Sequence, residues 1–354
     1  MSKFMDPRFA LFDAYTPGEQ PQDRTYIKLN TNESPYPPSQ GVARALDREA
    51  VDLLRLYPDP ECQALSQALA DYYGMDKQSI LCGNGSDELL SLAFMAWGEK
   101  GAAFADLSYG LYQVLADLHQ VKATIVPLRA DFTLDDRDYL GLGKLIVIAN
   151  PNAPTGMAIL PRQIAYIAQQ NPDSVVLVDE AYVDFGAGSC LPLIKSNENI
   201  MVMQTYSKSR SMAGARLGYA IGPAPLIKDL RKLKNAINPY NVNRLTQLAG
   251  IAALEDKDYY ALQNRAVVMA REETGRALKQ MGFEVLPSLA NFIFARHLLM
   301  GGAALYLALK KRGILVRYFN GQRTKDFIRI SIGTKEQMAT LTGHLQEILG
   351  GQAL

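Results

Sequence analysis

Between Ser79 and Gly222 the sequence keeps returning to one arrangement: a short, wholly apolar run, then a longer stretch with helical patterning. The runs are Ser79–Cys82, Ala102–Ala105, Thr124–Pro127, Leu145–Ala149, Val175–Val178, Ile200–Met203 and Tyr219–Gly222. Runs that are apolar at nearly every position, not at every second one, suit strands buried on both faces of a mainly parallel sheet. Asp87 to Trp97 and Tyr109 to His119 fall between such runs and read as helices. The predicted fold class is therefore α/β, a large domain whose mainly parallel sheet lies between helices. After Gly222 a helical region continues to about Met281. Ala290–Phe294, Ile314–Val316 and Phe327–Ser331 then read as strands of a smaller α+β domain. The Pro- and Tyr-rich beginning, ending in Ser34-Pro35-Tyr36-Pro37-Pro38, reads as an extended arm. The expected division is an arm over 1–45 that joins the small domain and a dimer contact, a large domain over 46–245 and a small domain over 246–354.

Composition narrows the function. With 37 Lys+Arg against 36 Asp+Glu and no dense basic block, neither a nucleic-acid binder nor a membrane-surface binder is expected. Cys62, Cys82 and Cys190 are scattered and form no CxxC pair. His119, His297 and His344 form no HExxH, so neither a disulfide framework nor a metal site is expected. The sequence shows no apolar leader and no run of membrane-spanning length, and a soluble cytoplasmic protein is the expectation.

Four local patterns sit where those strands end. Thr205-Tyr206-Ser207-Lys208 precedes Gly214-Ala215-Arg216-Leu217-Gly218. A desolvated lysine there would be an amine nucleophile for carbonyls, with Ser207 and Arg216 able to neutralise a phosphate. The alternative is a solvated loop lysine beside a structural arginine. Asp179, in Val178-Asp179-Glu180-Ala181-Tyr182, follows an apolar strand directly. It either caps the next helix or meets a cationic partner such as a protonated pyridine nitrogen. Gly83-Asn84-Gly85-Ser86-Asp87 is a glycine-rich turn opening a helix, a place where free N–H groups can hold an anion, although many such turns are only turns. Asn150-Pro151-Asn152-Ala153-Pro154-Thr155-Gly156 predicts a rigid loop at a strand end.

Taken together, an amine nucleophile, an acid suited to a ring nitrogen, an anion cradle and a shaped loop resemble the fold-type I pyridoxal-phosphate aminotransferases. The resemblance runs from about Tyr15 to Gly333. Within that family the likeness is greatest to the histidinol-phosphate aminotransferase branch. It is carried by Ala14-Tyr15-Thr16-Pro17-Gly18, Leu29-Asn30-Thr31-Asn32-Glu33-Ser34-Pro35, Leu56-Tyr57-Pro58-Asp59-Pro60, Ile314-Leu315-Val316-Arg317 and Ile328-Arg329-Ile330-Ser331-Ile332-Gly333.

This resemblance implies that Lys208 carries pyridoxal 5'-phosphate and moves the substrate proton. Asp179 keeps the pyridine nitrogen protonated, Tyr182 bonds the ring oxygen and Tyr109 stacks on the ring. Gly85, Ser86 and Asp87, with Ser207 and Arg216, hold the phosphate, and Tyr57 reaches the phosphate of the neighbouring subunit in a homodimer with shared active sites. Where the family has asparagine before Pro-Thr-Gly this chain has Ala153, and Asn152 is the candidate substitute. Arg329 and Arg317 are expected to clamp the anionic groups of histidinol phosphate and glutamate or 2-oxoglutarate, in a pocket lined by Tyr15, Asn32 and Tyr240. Rival activities are aromatic-amino-acid transamination and threonine-phosphate decarboxylation on the same cofactor. A non-catalytic pyridoxal-phosphate-sensing regulator is a more distant alternative.

Overall fold

In the computed structural model, residues 2–10 and 13–350 are described. The outermost parts of the expected arm and C-terminal domain, residues 1, 11–12 and 351–354, lie outside them. The chain forms β1 (Ile27–Leu29), β2 (Ile80–Gly83), β3 (Ala102–Ala105), β4 (Ala123–Val126), β5 (Leu145–Ala149), β6 (Val176–Asp179), β7 (Ile200–Thr205), β8 (Gly218–Ile221), β9 (Phe283–Val285), β10 (Phe292–His297), β11 (Ile314–Tyr318) and β12 (Phe327–Ser331).

The first sheet has the order β2-β8-β7-β6-β5-β3-β4. Every neighbouring pair is parallel except those made by β8, which runs antiparallel to both β2 and β7. Its central strands are buried except at Ala149, where β5 meets the cavity, as their apolar runs predict. Because side chains alternate across a strand, each strand feeds two cores. Ile146, Ile148, Val176, Val178, Ile200 and Val202 point to one side, and Leu145, Val147, Leu177, Met201 and Met203 to the other.

The second sheet has the order β1-β11-β12-β10-β9. It packs in its own core, where Leu29, Ile293, Val316, Ile328 and Ile330 meet Leu341 and Leu345 of the C-terminal helix Lys335–Gly350. The arm is less extended than its composition suggests. Ile27–Leu29 pairs in parallel with Ile314–Val316, and Gln40–Ala45 is helical with Ser39 accepting from Val42 N at its start.

The long helical region resolves into Ala224–Ile237, Arg244–Glu255 and Lys257–Gln280. The second of these lies almost wholly beyond residue 245, yet its Ala249, Ala252, Ala253 and Leu254 belong to a core of the first sheet. The third spans both units: Tyr260 is buried in a first-sheet core and Val267 in the second-sheet core. The helix expected from Tyr109 begins at Leu111, after Gly110.

Candidate active site

The carboxyl ends of β2, β3, β5, β6 and β7 and the inner edge of the second sheet border one cavity of about 750 Å³. Twelve of the residues singled out in the sequence line it: Tyr15, Asn32, Ser86, Asp87, Tyr109, Asp179, Tyr182, Ser207, Lys208, Arg216, Arg317 and Arg329. Gly85, Asn152, Tyr57 and Tyr240 do not.

Lys208 follows β7 and is half-buried, its amine donating to the Thr31 carbonyl at 3.2 Å and lying 5.8 Å from the centre of the Tyr182 ring. Burial pulls its pKa down to about 8, and the Arg329 charge adds to the effect. The neutral, nucleophilic form is therefore far more accessible near neutral pH than for an ordinary lysine. This half-buried place on a cavity wall favours the nucleophile over a solvated loop lysine.

Asp179 is the last residue of β6 and falls on the same side of the sheet as Leu177. The helix Leu111–Leu118 covers that side, and its Tyr112 donates to Asp179 Oδ2 at 2.7 Å. The Ala181 amide donates to Oδ1 at 3.1 Å. Both donors are neutral, so burial dominates and pushes the carboxyl up to about 6. A buried carboxylate with only neutral partners is suited to a cation arriving from the cavity. Tyr112 escaped the sequence reading: Tyr109, three residues earlier, lies outside the helix, so no shared face marks the pair.

The anion cradle is built at the start of the helix Ser86–Trp97. Gly85 has φ of 79°, and a Cβ there would sit 2.5 Å from Arg216 Nη2. A Cβ on Gly218 would come within 2.4 Å of Ser86 N, so glycine lets β8 run against the helix start. Arg216 contacts Asp87 Oδ2 at 3.1 Å, while Tyr109 donates to Asp87 Oδ1 at 3.1 Å. Gly85 thus shapes the cradle from behind without facing the cavity. Ser207, almost fully buried, accepts from Thr205 Oγ1 at 3.0 Å beside it.

On the opposite side, Arg317 of β11 and Arg329 of β12 are direct cross-strand partners. Like charges set opposite each other destabilise a sheet. Their hydrogen bonds go to main-chain oxygens: Arg317 donates to Thr16 O and Pro17 O, each at 3.1 Å, and Arg329 to Asn30 O at 3.0 Å. Arg329 Nε is buried without a partner. Tyr15 lies 5.6 Å edge-on to Tyr109, closing the cavity between the two sides.

Asn152 corrects the sequence reading. Its Nδ2 donates to Leu107 O and Thr155 Oγ1 at 2.9 and 3.1 Å, and its Oδ1 accepts from Ser108 Oγ at 2.8 Å. The amide is saturated by Thr155 of its own loop and by Leu107 and Ser108 of the connection after β3, and it faces a separate cavity of about 260 Å³. A shift of one residue has turned the side chain away, and Ala153 lines the main cavity with its methyl group. Tyr57 and Tyr240 stack on each other at 4.5 Å and are exposed, outside their own chain's cavity.

Among the described residues no group of three His, Cys, Asp or Glu could hold a metal ion. The residues present fit pyridoxal phosphate: an amine of depressed pKa, a buried acid awaiting a cation, and an anion cradle lie around one cavity. When bound, that group supplies an electron sink for carbanions.

Comparison with known proteins agrees with this geometry. Residues 24–345 match the family model described as aminotransferase class I and II. A histidinol-phosphate aminotransferase of Marinomonas sp. (strain MWYL1) is 48% identical, over 98% of this chain and 100% of its own. One from Clostridium acetobutylicum is 44% identical, over 99% and 100%. Among solved structures, the histidinol-phosphate aminotransferase of Sinorhizobium meliloti in complex with pyridoxal-5'-phosphate superposes with a TM-score of 0.88, at 25% identity and covering 100% of this chain and 99% of that one. With a half-buried lysine, an acid and two arginines that have no carboxylate partner among the described residues around one cavity, and a family match across nearly its whole length, this chain belongs to the class I and II aminotransferases.

Proposed function

We propose that this chain is a pyridoxal-phosphate enzyme that moves the amino group of L-histidinol phosphate to 2-oxoglutarate, giving imidazole-acetol phosphate and L-glutamate in histidine biosynthesis. The observation that carries the substrate assignment is the Arg317–Arg329 cross-strand pair, two cations facing one cavity with no carboxylate partner among the described residues. Such a pair is tolerated where an anion completes it, and guanidinium groups suit phosphate and carboxylate equally. One clamp can thus serve both half-reactions, holding the phosphate of the amine donor and then the carboxylates of the acceptor.

In this reading the neutral amine of Lys208 takes the proton from the substrate carbon and returns it. Asp179, held by Tyr112 and the Ala181 amide, balances a protonated ring nitrogen. Arg216 and the helix start at Ser86 hold the cofactor phosphate. Tyr15 and Tyr109 exclude water from the side facing the arm. The exposed Tyr57–Tyr240 stack, with Leu54, Leu56 and Ile237 exposed as well, supports a homodimer in which Tyr57 serves the neighbouring subunit's phosphate site. No helix among the described residues is long and apolar enough to cross a membrane, and a cytoplasmic location is part of this proposal.

The test is an absorbance spectrum of the cofactor-loaded protein with L-histidinol phosphate and no keto acid. Conversion of the bound cofactor to its amine form supports the assignment. A response to phenylalanine alone, or carbon dioxide release from threonine phosphate, transfers it to a rival activity. Sedimentation across a range of concentrations tests the dimer.

A further inference from the structure

Asn32 is a buried residue with φ of 57°, a left-handed conformation that asparagine tolerates better than most residues and that its neighbours here help to hold. Two residues of the second unit do so. The Asn32 amide N–H donates to Ser331 Oγ at 2.8 Å, and Asn291 Nδ2 donates to the Asn32 carbonyl at 2.9 Å. Ser331 Oγ in turn donates to Asn32 Oδ1 at 2.9 Å, and Asn32 Nδ2 donates to the Tyr182 hydroxyl at 3.0 Å.

These bonds have a fixed sense. A main-chain N–H can only donate, so Ser331 Oγ accepts from it, and the serine proton is left to find an acceptor. Ser331 is buried away from water, and Asn32 Oδ1 is the acceptor it meets. That assignment turns Nδ2 toward Tyr182, whose oxygen accepts and whose own proton must point elsewhere. The rest of the Tyr182 side chain is walled by apolar groups: Ala153, Ala290 and Phe292, the last 5.1 Å away and edge-on. The open direction is the cavity.

We propose that Ser331 is a positioning residue that, through Asn32, fixes the direction in which Tyr182 donates its proton, aiming it into the cavity at an oxygen of the cofactor bound there. The inference rests on the pyridoxal-phosphate reading and deepens it. Position 153 carries a methyl group here and Asn152 faces away, so the relay leaves Tyr182 as the side-chain donor from this part of the wall. Its last link comes from β12, which ties the second sheet to a hydrogen bond made inside the first unit's site.

The experiment follows the pH midpoint of the visible absorbance of the cofactor-loaded protein. In Ser331→Ala the Asn32 amide can turn, Tyr182 can donate to its oxygen, and an anionic cofactor oxygen loses a donor. The midpoint then rises by about half to one pH unit, the effect of one neutral hydrogen bond. Ser331→Thr keeps the hydroxyl and the original midpoint. Tyr182→Phe raises the midpoint similarly, and adding Ser331→Ala to it produces no further rise, since both remove one interaction. If Ser331→Ala does not fold, Ser331→Cys fills the space with a weaker donor and gives a smaller rise. An unmoved midpoint in Ser331→Ala, or a full shift persisting in the Tyr182→Phe background, overturns the relay. Absence of any visible band in the unmodified protein would instead overturn the pyridoxal-phosphate reading.

Discussion

The two walls of the cavity are built on opposite plans. The wall of the first sheet is assembled from short contiguous motifs, each at the carboxyl end of a parallel strand: Ser86 and Asp87 after β2, Asp179 on β6, Ser207 and Lys208 after β7. Arg216 and Asp179 on it have side-chain partners, in Asp87 and Tyr112, while the Lys208 amine rests on the Thr31 carbonyl. The wall of the second unit draws on distant segments, with Tyr15 and Asn32 from the arm and Arg317 and Arg329 from adjacent strands. Its arginines rest on main-chain oxygens and leave charge unanswered. The difference separates two tasks. A resident cofactor is met by a wall whose groups are already oriented before anything binds, with Asp179 left to take a cation, whereas exchanging substrates call for a wall whose cationic charge is completed only by the visitor.

The largest expected effect lies on the first wall. Lys208→Ala should abolish the visible band and lower turnover by at least about 10³-fold, within the range for loss of a positioned acid–base group. A retained band would place the nucleophile elsewhere. Next comes the second wall, where the two arginines should separate. Arg329→Ala should lower kcat/KM for histidinol phosphate by about 100-fold, through loss of charge-assisted bonds and the exposure of its buried site. Arg317→Ala should cost about tenfold, mainly in KM. Equal losses for phosphorylated and unphosphorylated amines would show that the pair does not read the anion.

A third prediction uses pH on the cofactor-free protein. The Asp179 pKa is raised in the fold, to about 6 from 3.8, so its contribution to stability is full below about pH 4 and is lost as pH rises through about 6. Over that window Asp179 should cost up to roughly 3 kcal/mol, and Asp179→Asn should flatten the corresponding fall in denaturation midpoint. Glu180 adds a similar fall, because burial raises it to about 7; the flattening should therefore be partial. The smallest effect belongs to Asn152→Ala. It should lower stability by about 1–2 kcal/mol through loss of its loop bonds, with cofactor affinity nearly unchanged in equilibrium titration.

The contrast between the walls also explains what could be read in advance. Strand ends followed by Gly, Asp or Lys leave a local pattern, and the first-wall residues stand out for that reason. Tyr112 leaves none, because its role depends on which side of β6 Asp179 happens to face. Ser331 is the last residue of the strand Phe327–Ser331 and reads as one more alternating position. Three residues were too few for periodicity to reveal β1, whose pairing with Ile314–Val316 is a matter of register. Asn152 misled because identity at a neighbouring position carries no information about direction, and its saturated amide settled that direction locally. The expected fold class, by contrast, rested on buried strands whose sequence pattern is nearly independent of their neighbours.

The helix Lys257–Gln280, at 24 residues, is a rod roughly 36 Å long. It is gripped by one unit at Tyr260 and by the other at Val267. The stretch between the grips is less than two turns, and an unbroken α-helix flexes only gently over so short a span. Any rocking of the second unit must load that segment as a leaf spring. Its stiffness is then one constraint on how far the arginine pair can travel relative to Lys208, alongside the Asn32–Tyr182 bond, and a glycine placed there would loosen that constraint without touching either wall.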